Sequence, residues 1–200
     1  MRTTYDVIQY AKENNLSGII LCIDFEKAFD SISFSFIKKT LNFFNFGEDL
    51  IKWVGLLLKD FTAVINHCGN ISEKFSILRG CRQGCPLSPY LFLMAVEILA
   101  IKLRQDPKIE GFESNGCVHL LELYADDISV FLKATNNMRE TENNLRGVLN
   151  SIENFFKVSC LRINLSKTTA IWFGTKHNCT TKLCGDLGIE WDTKLSLIHI

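Results

Sequence analysis

The sequence predicts an α+β fold, an antiparallel sheet with helices packed mainly on one face, and three observations carry that expectation. The apolar run from Ile19 to Ile23 is continuous and rich in β-branched residues, as a buried strand requires. Two further apolar runs, 120–123 and 128–132, flank Tyr124-Ala125-Asp126-Asp127 as the arms of a hairpin. Over 137–157, Leu145, Val148, Leu149, Ile152, Phe155 and Phe156 form one continuous stripe at helical spacing. Strands and helices mix without the regular alternation of a doubly wound fold, which leaves α+β.

Taken in order, Tyr5, Ile8 and Lys12 with polar residues between them mark a helix over 4–14, ended by Asn14-Asn15 and Gly18. The 19–23 strand delivers Asp24 at its C-terminal end. Ser31 or Ser33 then caps a helix carrying Ile37, Leu41 and Phe44, and Asp30 is a further capping candidate there. That helix stops near Gly47, and Ile51, Val54, Leu57 and Leu58 make the next, over 48–59. Residues 61–67 and 71–78 read as a hairpin across Cys68-Gly69-Asn70. The segment 79–89 holds two glycines and two prolines and is excluded from regular structure. Ser88 and Pro89 form an N-cap and first-turn pair, opening a helix to Leu103 that is apolar on nearly every face except at Glu97 and so belongs to the core. Strands are expected at 109–112 and 118–124 before the acidic turn. After the long helix they are expected at 161–165 and 169–173, with Lys167 between them. No internal repeat or low-complexity segment interrupts the chain.

At 200 residues with 47% hydrophobic content, the chain suffices for one well-buried domain, with room for a fragment of another. Lysine plus arginine equals aspartate plus glutamate at 22 each, so no footprint for nucleic acid shows at the level of the whole chain. The eight cysteines lie in apolar or motif-like segments without a paired framework, which implies reduced thiols and an intracellular location, nuclear or cytoplasmic. The spacings Cys81/Cys85 and Cys179/Cys184 evoke zinc, but the residues between each pair fit other roles better. The first residues do not form a signal peptide, and no apolar run reaches the roughly 20 residues of a membrane span.

The chemistry centres on Asp126 and Asp127. Adjacent carboxylates in a tight turn, with no basic residue within four positions on either side, repel each other unless a cation sits between them and a third ligand. Asp24 is that distant third acid. Magnesium takes a few hard carboxylate oxygens and otherwise water and phosphate. Two such ions about 3.5–4 Å apart can hold the attacking and leaving oxygens of an in-line displacement at phosphorus. The expectation is a metal-dependent nucleotidyl transferase. For a single aspartate, a turn or cap role is the commoner explanation; for a pair within an apolar hairpin it is not.

Four segments in order then carry a resemblance: Asp24-Phe25-Glu26-Lys27-Ala28-Phe29-Asp30, Arg82-Gln83-Gly84-Cys85-Pro86-Leu87-Ser88-Pro89, Tyr124-Ala125-Asp126-Asp127, and Asn164-Leu165-Ser166-Lys167. Together they resemble reverse transcriptases (RNA-directed DNA polymerases) of the non-LTR, LINE-type retrotransposon class, over 1–189. The resemblance implies a polymerase palm with part of the fingers. It implies two Mg2+ ions, with Mn2+ as an alternative, held by Asp24, Asp126, Asp127 and the backbone carbonyl of Phe25. It also implies Phe29 as the aromatic gate against a 2′-hydroxyl, Gln83 and Gly84 along the incoming nucleotide and template, and Arg82 at phosphate. Lys167 matches the lysine that protonates the pyrophosphate leaving group. Glu26, Lys27 and Asp30 belong to the motif but not to the chemistry. The implied partners are an RNA template, a DNA primer and deoxynucleoside triphosphates, with no membrane.

Set against the family's complete enzyme, the chain is expected to lack part of the fingers, the helical thumb and an endonuclease module, and so to be inactive alone. The alternatives are a relic or truncated reading frame that keeps the fold, a group II intron maturase-like enzyme, and a telomerase-like catalytic subunit. Residues 190–200 form a tail. Its last six, Leu195-Ser196-Leu197-Ile198-His199-Ile200, resemble the translated adapter of a DNA-tagging transposase, and a native apolar tail is the alternative.

Overall fold

The computed structural model describes residues 2–124 and 127–192. In chain order the elements are α1 (Arg2–Glu13), β1 (Ser17–Ile23), α2 (Ala28–Ser31), α3 (Phe34–Phe43) and α4 (Glu48–Leu57). The short strands β2 (Thr62–Ala63), β3 (Asn66–His67), β4 (Asn70–Ile71) and β5 (Phe75–Ser76) follow. Then come α5 (Ser88–Gln105), β6 (Phe112–Ser114), β7 (Cys117–His119), β8 (Leu121–Tyr124), β9 (Asp127–Lys133), α6 (Met138–Ser159), β10 (Thr169–Gly174), a 3-10 turn (Gly185–Leu187) and β11 (Glu190–Asp192). The chain forms two compact units, one from residues 1–26, 99–154 and 163 onward, the other from 27–98 and 155–162.

The first unit is built on a five-stranded sheet of order β11-β10-β1-β9-β8. Its neighbours are antiparallel except β10 and β11, so the expected α+β class and antiparallel sheet are present. Strand β1 lies at the centre, and Ile19, Ile20 and Leu21 are each 0% exposed, so the sheet is buried on both faces there. On one face Val7, Ile8 and Ala11 of α1 pack with Ile20, Phe112, Phe131 and Phe173. These residues sit one and four apart on α1, so one stripe meets the sheet while Tyr5, read from sequence as part of the apolar pattern, faces solvent. Each large side chain buried in this way contributes about 1.5–3 kcal/mol. Helix α6 starts where expected because Asn137 caps it, its Oδ1 accepting the Arg139 N–H at 3.1 Å.

The second unit holds α2 to α4, two small strand pairs and the start of α5. Phe36, Ile37, Thr40 and Leu41 are the buried stripe of α3, with Phe36 edge-on to Phe155 at 5.4 Å. The hairpin expected over 61–78 forms as two nested pairs, β2 with β5 and β3 with β4. Helix α4 buries only Val54 and exposes Leu50, Trp53, Leu56 and Leu57.

Four local readings are corrected. Asp30 lies inside α2 and caps nothing, because the chain turns helical earlier, at Ala28. Ser33 precedes α3 but its hydroxyl meets Ser35 instead of a helix N–H. Tyr90 and Leu93 on α5 are 66% and 55% exposed, so that helix shows one apolar side to solvent. Residues 161–165 form no strand beyond a single bridge from Ile163 to Phe25, since the chain turns at 164–168.

Candidate active site

Strand register brings the expected acids to one place. Ile23 of β1 pairs with Ile128 of β9, so one further step along each antiparallel strand sets Asp24 beside Asp127, the first residue of β9. Directly opposed residues of an antiparallel pair lie about 4.5–5.5 Å apart at Cα. Asp127 in turn pairs with Tyr124 of β8. Asp24 is half-buried and Asp127 exposed, so both carboxylates reach solvent at the sheet's end. Asp126 lies outside the described residues. The strand alternation puts Asp24 and Asp127 on the same face as Cys22 and Ser129, two residues back on each strand.

On the other side of β1, the ladder with β10 ends at the pair Cys22–Thr169. Beyond it the chain folds into a turn, with the N–H groups of Lys167 and Thr168 donating to the Asn164 carbonyl at 3.1 and 2.9 Å. That turn is tied to the Asp24 peptide. The Asn164 N–H donates to the Asp24 carbonyl at 2.8 Å, and the Asp24 N–H donates to Thr168 Oγ1 at 3.3 Å. Phe25 is buried and bridged to Ile163. Lys167 is exposed within this turn, beside the end of β1 that presents Asp24.

The remaining expected residues lie in the second unit. Residues 79–84 run antiparallel to 29–33: Ser33 bridges Arg79, the Gly80 N–H donates to the Ile32 carbonyl at 2.7 Å and the Cys81 N–H to the Phe29 carbonyl at 2.6 Å. Phe29 is half-buried and stacks on Phe92 of α5, ring centroids 4.5 Å apart. Gln83 is exposed and its Nε2 donates to Asp30 Oδ1 at 3.5 Å. Arg82 is exposed with its guanidinium 4.4 Å from the Phe61 ring centroid. Gly84 adopts φ +84° with open space where a side chain would stand, leaving the backbone approachable.

Ser88 does not cap α5; its hydroxyl donates to the Arg82 carbonyl at 2.7 Å and holds the loop closed. The two thiols of this loop differ. Backbone N–H groups of Leu87 and Ser88 lower the pKa of Cys85, with Arg82 adding to the effect, whereas burial pushes Cys81 up to about 11. In the sheet, burial also raises Cys22 despite hydrogen bonds from Ser129 and Thr169. All eight cysteines are free.

Among the described residues there is no cluster of three or more metal-ligating side chains. The donor chemistry present, two solvent-reaching carboxylates on adjacent strand ends, suits a hard divalent cation and not a soft one. Sequence reasoning did not single out Thr168, Phe92 or Gly80. A threonine opening a buried strand just after Lys167 was the one legible signal; the other two depend on partners distant in sequence.

The family model for reverse transcriptase (RNA-dependent DNA polymerase) matches residues 1–190. The chain belongs to this family. Among curated proteins, this reverse transcriptase chain is 25% identical over 191 residues to the transposon TX1 uncharacterized 149 kDa protein of Xenopus laevis, covering 95% of the chain and 14% of that protein. It is 28% identical over 165 residues to the Pol polyprotein of the type-1 retrotransposable element R2 of Popillia japonica, covering 82% and 22%. It is 29% identical over 176 residues to the Pol polyprotein of the type-2 element R2DM of Drosophila melanogaster, covering 87% and 16%. The chain thus spans less than a quarter of the length of these relatives. Among solved structures, telomerase of Candida tropicalis, in complex with a fragment of telomeric RNA, superposes with a TM-score of 0.64 at 14% identity, over 86% of this chain and 29% of that one. That likeness is one of fold, a reverse transcriptase palm-like α+β architecture. No helix among the described residues is long and apolar enough to cross a membrane.

Proposed function

We propose that the chain is the catalytic domain, over 1–189, of a non-LTR retrotransposon polymerase that extends a DNA primer along an RNA template. The observation that carries the reading is the convergence of Asp24 and Asp127 at adjoining strand ends, beside the turn bearing Lys167, in a chain of this family. Asp24 and Asp127, with Asp126 and the Phe25 carbonyl, are the groups that would hold two magnesium ions. Such ions would supply activation of the primer 3′-hydroxyl and charge neutralisation on the triphosphate. The protein supplies the rest by position. Lys167, on its tethered turn, delivers a proton to the departing pyrophosphate. By the resemblance, Phe29, which stacks on Phe92, would serve as the gate against a 2′-hydroxyl, and Gln83, Gly84 and Arg82 would be nucleotide contacts. The location is intracellular.

The test is primer extension on an RNA template with Mg2+ and deoxynucleotides. This chain is compared with a longer polypeptide carrying its flanking sequence, each beside Asp127→Asn. Extension by the longer form alone, abolished by the substitution, is the expected result. Folded proteins of both lengths that extend nothing would instead mark the chain as a relic that keeps the fold without the reaction.

A further inference from the structure

The hydrogen bonds around Asp24 carry an inference beyond the carboxylates themselves. Regular pairing between β1 and β10 stops at Cys22–Thr169, two residues short of Asp24, so the ladder that aligns the rest of β1 on that side does not hold this peptide. A side chain takes its place. Thr168 is 0% exposed, and its hydroxyl accepts the Asp24 N–H at 3.3 Å while donating to the Asn164 carbonyl at 2.8 Å. Asn164 closes the ring by donating its own N–H to the Asp24 carbonyl at 2.8 Å. Both polar groups flanking the Asp24 side chain are therefore fixed by the turn that carries Lys167. The same threonine is tied outward, its carbonyl accepting the Glu190 N–H of β11 at 3.3 Å.

We infer that Thr168 is a positioning residue: its hydroxyl, through the Asp24 N–H, sets where the Asp24 carboxylate stands for a divalent cation and locks that acid to the turn of Lys167. The inference rests on the metal-site reading above. Valine matches threonine in shape but can neither accept nor donate, so it leaves the N–H of the half-buried Asp24 without its partner. Serine keeps the hydroxyl and drops only the methyl.

The test measures Mn2+ binding to this chain by the EPR signal of free Mn2+, with hydrogen exchange of the Asp24 amide read alongside on the metal-free protein. The expected result for Thr168→Val is roughly three- to tenfold weaker binding, the equivalent of one lost hydrogen bond, with faster exchange at Asp24. Thr168→Ser restores both to within about twofold. Three results overturn the inference. The first is a Thr168→Val protein that binds Mn2+ as the wild type does. The second is a serine variant that fails as fully as valine while both lose global stability in parallel, which makes the residue merely structural. The third is unchanged exchange at Asp24 in Thr168→Val. Failure of the metal reading itself looks different: the wild type binds Mn2+ no better than Asp24→Asn or Asp127→Asn, and the positioning role falls with it.

Discussion

Replacing Gly80 with alanine tests whether one close backbone contact registers the 79–84 loop against the segment of Phe29. Gly80 has φ +98°, and a Cβ there would stand 2.8 Å from the Asp30 carbonyl oxygen and 2.9 Å from its Cα. Both obstacles are backbone, so no side-chain rotation relieves them. The unfavourable φ costs about 1–3 kcal/mol for a residue with a side chain. Loss of the two flanking bonds, Gly80 N–H to Ile32 and Cys81 N–H to Phe29, adds about 0.5–1.5 kcal/mol each. Gly80→Ala is therefore expected to lower stability by about 2–6 kcal/mol, a large part of the 5–15 kcal/mol a domain has. Gly84→Ala is the internal control. It meets nothing within 4 Å, so only the same conformational cost at φ +84°, about 1–3 kcal/mol, applies, without the lost bonds. Urea unfolding of the two variants beside the wild type gives the comparison. Equal losses would falsify the argument, since the contact with Asp30 would then contribute nothing.

Other outcomes follow from single sites. Alkylation near neutral pH, followed by peptide mass spectrometry, should modify Cys85 well before Cys81, because backbone N–H groups favour the Cys85 thiolate while burial holds Cys81 up at about 11. Thr40 is 3% exposed and its hydroxyl has no hydrogen-bond partner among the described residues, so Thr40→Val should stabilise the protein by about 1 kcal/mol in urea unfolding. A loss on that substitution would reveal a partner for the hydroxyl. Asp186 accepts two hydrogen bonds from Arg146, at 2.6 and 3.0 Å, which depress its pKa. Its stabilising contribution is present above the ordinary carboxylate pKa and disappears as pH falls through the depressed one. Amide exchange around the 3-10 turn, compared with Arg146→Gln at matched pH, should accelerate in acid only in the wild type.

What the sequence determined by itself was the family, through its ordered motifs, and the existence of the main elements. Apolar periodicity is local, and it specified α6, the central strand β1 and the apolar arms of the hairpin at Tyr124 because each element buries a face its own residues define. Asp24 and Asp127 stood out as acids in apolar surroundings, whereas Lys167 was named only by the resemblance of its motif. Tertiary structure decided what those residues could do together. That Asp24 adjoins Asp127 follows from the register of β1 on β9, a choice made by packing both faces of the sheet over more than 100 residues of intervening chain. The same global packing overrode local signals. Tyr5 turned outward because Val7, Ile8 and Ala11 filled the space above Ile20, and the strand expected at 161–165 became a turn because the Asp24 peptide bound Asn164 and Thr168 instead. Thr168, Phe92 and Gly80 acquire meaning only from atoms that the fold brings to them, which no single stretch of sequence can display.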